Sequence, residues 1–347
     1  MKKQDNQVTL KTVADYLGLS ITTVSMVINK SKGYQRISEK TSKRILQACE
    51  TLGYKPNFFA QRLKSDRTMQ IAAIVPSLYN HFTAPLIEGI ESVLHPCGYN
   101  LLIFNYEEEK QPQDTVKDPL TKLLVGGIDG VISHIGKAQI DSLVRGRLPV
   151  VHIDEDTDVT PGVSVDVEEA IYTLTKLFID RGCTKIAFIG AREREQFTYT
   201  FFGRRKGYER AMREHGLAVD PKWMTFVTPT YNGGFEAFDW ISQLEELPEA
   251  LVVYTDIVAH VLQSRMVQAG IRIPQDIGIG SLDDTFFSQL MIPPLTAVRI
   301  PAYDIGARAA QLLLAAIDGE DVSQIHDRLQ TKLNERGSSQ VFPQQKN

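Results

Sequence analysis

The chain has 347 residues, with 38 Lys+Arg against 42 Asp+Glu and a formal net charge of −4 at pH 7. It holds no apolar run of membrane-spanning length and no secretory leader pattern, which argues against a membrane protein and against an exported solute-binding protein. Cys49, Cys97 and Cys183 are solitary, odd in number and set within apolar patterns, as expected of free buried thiols in a reducing cytoplasm.

The near-neutral balance hides a division. Residues 1–68 carry 13 Lys+Arg and 5 Asp+Glu, a net of +8, whereas residues 69–347 carry 25 and 37, a net of −12. A basic head of this kind binds phosphates by counterion release, while an acidic body is repelled by them.

Taken in chain order, Thr9 suits a helix N-cap because its hydroxyl accepts from the first-turn amides. Leu10, Val13, Ala14 and Leu17 follow at helical spacing, and Gly18 ends the helix in the left-handed conformation open to glycine. Ser20 caps a second helix whose buried stripe is Val24, Val27 and Ile28. Ala14, Gly18 and Val24 therefore suit two helices crossing closely, with a small residue at the crossing and glycine in the turn. A third helix is predicted from Ser38, burying Ile45, Ala48, Cys49 and Leu52 before Gly53. A generic helical bundle would share the stripes; the caps, spacing and charge together point to a helix-turn-helix DNA-binding head. Asn57-Phe58-Phe59-Ala60 then opens a further short helix that ends near Leu63, ahead of a polar link.

These residues resemble the lactose-repressor (LacI/GalR-type) family of bacterial transcription regulators. The resemblance is carried by Thr23-Val24-Ser25, Val27-Ile28-Asn29, Leu52-Gly53-Tyr54-Lys55-Pro56-Asn57, Ala60, Leu63 and Ile71–Pro76, and it continues through nearly the whole chain. It implies that Ile21, Thr22 and Met26 reach base edges in DNA. Ser25 and Asn29 lie nearer the backbone, and Thr9, Ser20 and Thr23 complete the DNA-binding set of the head. The family's commonest residue at the Met26 position is arginine, which binds guanine bidentately; methionine cannot. The expected operator half-site therefore lacks the usual arginine–guanine contact, with apolar contact, for instance to a thymine methyl, in its place. The short helix resembles the family's hinge helix, with Pro56 before it, Asn57 at its cap, Ala60 where two such helices meet, and Leu63 as the minor-groove wedge. At about eight residues it is shorter than the ~12–15 that make an isolated helix even marginal in water, so it is expected to form only with the dimer and the DNA. A ligand that respaces the two hinges would then order or melt them.

Beyond Thr68, apolar runs at Ile71–Val75, Leu101–Phe104, Gly130–Ser133, Val150–Ile153, Ile186–Ile189, Leu251–Val253 and Ile277–Ile279 alternate with helical patterns. The helices are predicted near 83–96, 113–125, 167–181, 203–216, 233–246 and 256–269. Such alternation argues for parallel sheets covered on both faces, and a segment of roughly 270 residues exceeds one such core. The expected fold class is an all-α helix-turn-helix head plus hinge helix, followed by an α/β periplasmic-binding-protein-like body of two parallel-sheet subdomains. The boundaries read 1–56 for the head, 57–69 for hinge and linker, 70–340 for the ligand-binding and dimerisation domain, and 341–347 for a tail. Within the body, the N-subdomain takes about 70–166 and 297–326, and the C-subdomain about 167–295 and 327–340. Chain crossings are expected near Asp166, Pro294–Arg299 and His326–Arg328.

A ligand belongs between the halves, at the C-terminal ends of the strands. The resemblance implies Arg204 as a ligand-binding arginine and Asp283 as a strand-end aspartate that accepts from ligand hydroxyls or ring nitrogens. Thr255 stands where the family more often has asparagine, and Asp256 is expected to cap the next helix. Phe82 and Tyr231 are candidate stacking rings from the two halves. The set suits a sugar or sugar derivative as effector, with a nucleoside or purine-like corepressor as the alternative.

No Gly-x-Ser-x-Gly elbow, phosphate loop or dinucleotide fingerprint is present, and the histidines form no metal-like pairs, so neither an enzyme nor a cofactor or metal is expected. One short helix reading one half-site gives little affinity, so a homodimer on pseudo-palindromic double-stranded operator DNA is expected, cytoplasmic and without a membrane partner. The polar tail Gln340–Asn347 lacks the leucine heptads of a tetramerising helix.

Overall fold

The computed structural model describes residues 8–28, 33–54, 67–75, 78, 82–105, 127–135, 137–144, 146–154, 159–192 and 198–340. They fall in two compact units, Met1–Thr68 and Met69–Asn347.

The first unit is built from α1 (Leu10–Leu17), α2 (Ile21–Ile28) and α3 (Glu39–Leu52). One local device starts all three. The Thr12, Thr23 and Thr41 amides donate to the hydroxyls of Thr9, Ser20 and Ser38 at 3.2, 3.1 and 3.2 Å, satisfying amides that have no partner inside the helix. Gly18 and Gly53 end α1 and α3 at φ 64° and 66°. Val13, Ala14, Val24, Val27, Ile45 and Ala48 form the shared core. Cys49 and Leu52, expected to be buried, lie half-buried at its edge, because α3 presents its C-terminal turn to only part of this small core.

The second unit contains two six-stranded sheets. The first takes β1 (Gln70–Val75), β2 (Asn100–Asn105), β3 (Gly130–Ser133), β4 (Val150–Asp154), β5 (Gly162–Val165) and β11 (His326–Leu329), in the order β11-β5-β4-β3-β1-β2 and all parallel. The second takes β6 (Ile186–Ala191), β7 (Met224–Val227), β8 (Ala250–Val253), β9 (Gly278–Asp283), β10 (Thr296–Arg299) and β12 (Lys332–Asn334), in the order β12-β10-β9-β8-β6-β7. Only β12 runs antiparallel to its neighbour β10. Strands β3, β5, β6 and β8 are buried at every residue, which is why they read as unbroken apolar or small-residue runs.

Helices α4 (Thr83–Leu94) and α5 (Lys137–Val144) follow strands of the first sheet. Helices α6 (Val167–Asp180), α7 (Thr198–Glu214), α8 (Tyr231–Ser242) and α9 (Asp256–Gln268) go with the second, and α10 (Ala302–Ile317) returns to the first, where it packs on α4. That packing needs glycine. A Cβ on Gly89 would sit 2.0 Å from the Tyr303 carbonyl oxygen, and one on Gly306 would sit 2.1 Å from that of Leu86.

The sheets shift two of the expected crossings. The stretch ending at Arg299 stays in the second sheet, with Arg299 in register with Asp283, so the return begins only beyond it. His326–Leu329 stays in the first sheet beside β5, so the last crossing falls after Leu329. In both places a parallel strand continues past the polar or proline-rich stretch that suggested a break. Helix α5 and the short strands β5, β7, β10 and β11 were absent from the expected elements, and the helix expected near 113–125 lies outside the described residues. Cys97 is exposed, not buried, because it lies in the 3-10 turn His95–Cys97 ahead of Gly98. Among the described residues, no helix is long and apolar enough to cross a membrane.

Candidate functional site

In the head, the exposed positions of α2 are its first two: Ile21 is 47% exposed and Thr22 is exposed beside it. Ser20 and Thr23 are engaged with each other, their hydroxyls 2.8 Å apart, and the Thr9 hydroxyl is likewise shared with Thr12 at 3.0 Å. These three serve the helix starts. Ser25 and Met26 are half-buried. Lys11, Arg36, Lys40, Lys43 and Arg44 are exposed, so the positive charge of this segment is available at its surface. Asn29, Asn57, Ala60 and Leu63 lie outside the described residues.

In the body, neighbouring strands β8 and β9 end at one corner, and α7 brings Arg204 to it. The Arg204 side chain is buried; its Nη1 donates to the Tyr254 carbonyl oxygen at 2.7 Å, and its guanidinium carbon lies 5.9 Å from the Tyr254 ring centroid. Burial pushes the Tyr254 hydroxyl above the usual tyrosine range, against the pull of Arg204. One residue on, the Thr255 hydroxyl donates to Asp283 Oδ2. The structure thus brings Arg204, Thr255 and Asp283 into one hydrogen-bonded corner. Asp283 and Asp284 sit at φ 105° and 54°, in the left-handed region that side chains rarely enter. Asp284 is gripped from β12 and beyond by Asn334 Nδ2, at 2.6 Å, and by the Arg336 guanidinium. The backbone carrying Asp283 is therefore fixed by contacts that span 50 and 52 residues of sequence.

A cleft of about 700 Å³ opens beside this corner, lined by Phe82, Asp283, Phe286, Phe287, Arg299 and Tyr303 among others. Phe82 is buried at the start of α4, its ring centroid 5.2 Å from that of His134. Phe82 and Asp283 therefore face one cavity; Arg204, Thr255 and Tyr231 are not part of its lining. Tyr231 stands at the first position of α8 and is 59% exposed.

Asp256 departs from the sequence expectation. The N-cap of α9 is Thr255, whose hydroxyl is given to Asp283, and Asp256 is the first helical residue and fully buried. Its carboxylate accepts from the Thr285 amide at 2.7 Å, from the Thr285 hydroxyl at 3.0 Å, and from the hydroxyls of Ser281 and Ser288. His260 Nε2 lies 2.9 Å from the Ser288 hydroxyl. A carboxylate buried among four donors holds the loop after β9 in place; it is not capping a free helix end. Sequence reasoning missed this network, the Tyr254 carbonyl that holds Arg204, and Phe286, Phe287 and Tyr303 around the cleft, because their partners lie one strand–loop unit away. Among the described residues, no group of three His, Cys, Asp or Glu side chains is placed to hold a metal ion.

Two domain families match in sequence. The bacterial regulatory proteins of the lacI family match residues 9–57, and the periplasmic binding protein-like domain matches residues 175–339. The chain is 32% identical over 337 residues to catabolite control protein A of Priestia megaterium, covering 96% of this chain and 99% of that protein. Among solved structures, the lac repressor dimer bound to operator and the anti-inducer ONPF superposes with a TM-score of 0.83 at 22% identity, covering 96% of this chain and 99% of that one. A complex of the transcriptional regulator CelR with cellobiose superposes with a TM-score of 0.69 at 23% identity, covering 95% and 99%.

Proposed function

The chain belongs to the lacI family of bacterial regulatory proteins, and from that membership we propose a cytoplasmic repressor whose hold on its operator is set by a small carbohydrate-like effector. As a member of that family it is a ligand-responsive, DNA-binding transcription regulator, and family members bind pseudo-palindromic operators as dimers. Its relatives are regulators, not enzymes, and we assign it no catalytic role.

The observation that carries the effector reading is the strand-end corner. An aspartate at the edge of the cleft, fixed in an unusual backbone conformation and bonded by the Thr255 hydroxyl, offers an acceptor to a polyhydroxylated ring, with the buried Arg204 guanidinium held close by on the Tyr254 carbonyl. Phe82, which lines the same cavity as Asp283, supplies the aromatic surface on which the apolar face of a sugar stacks. The sugar bound by a regulator of the same fold is in keeping with this choice. Arg204, Asp283, Thr255 and Phe82 are accordingly proposed as effector contacts. Tyr231 is proposed only as a more distant contact from the other half. In the head, the exposed pair Ile21 and Thr22 is proposed to read bases. Asn57, Ala60 and Leu63 are proposed as the conditional hinge through which the effector acts.

Thermal-shift screening of the full chain against sugars, sugar acids and nucleosides tests the effector class. A stabilising response to one sugar or sugar acid is expected, and its loss in Asp283→Ala. A clear response only to nucleobases or nucleosides would overturn the carbohydrate assignment and favour a purine-like corepressor.

A further inference from the structure

Thr22 and Met26 are four residues apart and so share one face of α2, yet Thr22 is exposed and Met26 is half-buried. The turn that leads into α3 comes close to Met26. A Cβ placed on Gly33 would lie 3.4 Å from Met26 Sδ and 3.5 Å from Met26 Cε, so the thioether lies beside the face of Gly33 that carries no side chain. Gly33 has φ 103°, a conformation that suits glycine, and it starts the 3-10 turn Tyr34–Arg36. That turn is closed by the Arg36 amide on the Gly33 carbonyl at 2.9 Å and by the Ile37 amide on the Tyr34 carbonyl at 3.0 Å. An unbranched, polarizable thioether is suited to filling an irregular gap of this kind. A side chain laid along the turn is not extended from the helix towards a base edge.

We infer that Met26 is a positioning residue: it seats the Gly33–Arg36 turn on the recognition helix and reads no base, leaving base choice to Ile21 and Thr22. The inference rests on the reading of α2 as the recognition helix. Ile21 offers apolar surface, suited to a thymine methyl, and Thr22 offers one hydroxyl and one methyl. The turn so held carries the exposed guanidinium of Arg36, a residue suited to phosphate.

The test selects binding sequences from random duplex DNA with the full chain and with Met26→Ala, Met26→Leu, Ile21→Ala and Thr22→Ala. Met26→Ala is expected to weaken binding by about tenfold on every selected sequence alike, with its base preferences unchanged, and Met26→Leu to restore affinity by refilling the gap. Ile21→Ala or Thr22→Ala is expected to lose about five- to a hundredfold of discrimination at one base pair of each half-site. A changed base preference in Met26→Ala or Met26→Leu, or unchanged affinity in Met26→Ala, overturns the inference. If the alanine variant does not fold, the leucine variant decides alone through its base preference. Failure of another kind is separately visible: if Ile21→Ala and Thr22→Ala also keep the parental preference, the assignment of α2 is wrong.

Discussion

In the head, the polar pairs that start the helices are local: Thr9–Thr12, Ser20–Thr23 and Ser38–Thr41 each lie three residues apart. In the body, the pairs that shape the strand-end corner are not: Thr255–Asp283, Asp256–Thr285 and Asp256–Ser288 lie 28, 29 and 32 residues apart. The difference has energetic content. Each local cap satisfies one helix end and acts independently of the others. The long-range contacts of Ser281, Thr285 and Ser288 converge on the buried Asp256 carboxylate, so its removal strands several donors at once. The head is therefore held by small separable terms around a small core, and the corner that meets the cleft by one cooperative cluster.

The sharpest way to break this comparison is Asp256→Ala. It leaves Ser281, Ser288 and the Thr285 amide without their acceptor, and is expected to destabilise the body by about 3–5 kcal/mol, measured by urea unfolding of the full chain. A loss below about 1 kcal/mol, the scale of a single hydrogen bond, would mean that the loop is held by apolar contacts instead. Gly306→Ala comes next. Its new methyl meets the Leu86 carbonyl at 2.1 Å, and forcing α10 from α4 should cost about 1–3 kcal/mol in the same measurement.

The head should answer more mildly. Gly18 has nothing within 4 Å of an added Cβ, so Gly18→Ala carries only the left-handed backbone cost of about 1–2 kcal/mol. Ser38→Ala removes one cap bond and should cost about 1 kcal/mol. Both are read from the thermal transition of the head, and a loss above about 3 kcal/mol from either would contradict the picture of separable local terms. Smallest of all is the Lys43–Glu39 pair, whose side chains are 75% and 83% exposed. Its double replacement should change stability by less than about 0.5 kcal/mol and should vanish as a term at high salt.

The same contrast explains what could be read in the sequence. Thr9, Ser20, Ser38, Gly18 and Gly53 signal helix ends through their own chemistry, so the head was legible residue by residue. The two-sheet body was legible from unbroken apolar runs such as Ile186–Ile189, which need burial on both faces to make sense. Short strands were not: β7 and β11 are four residues long with mixed polarity, and only their neighbours in the sheets make them strands. Arg204, Thr255 and Asp283 were found by resemblance, and the structure adds how they meet. Asp256 was misjudged because an acidic residue at a helix start suggests a cap, and nothing local reveals that Ser281 of β9 and Thr285 and Ser288 beyond it converge on it. Met26 was placed among base readers from its spacing on the helix, which is visible in sequence; the closeness of Gly33 to its thioether is not.

The central claim is that this chain joins a sequence-reading head to a ligand-sensing body, and selection of operators from random duplex DNA, with and without the sugar found by thermal shift, tests it most directly. The account predicts an enriched pseudo-palindromic site without the arginine–guanine signature, and an affinity for it that changes when the sugar is added. Enrichment of no symmetric sequence, or an operator affinity indifferent to a sugar that the body demonstrably binds, would contradict it.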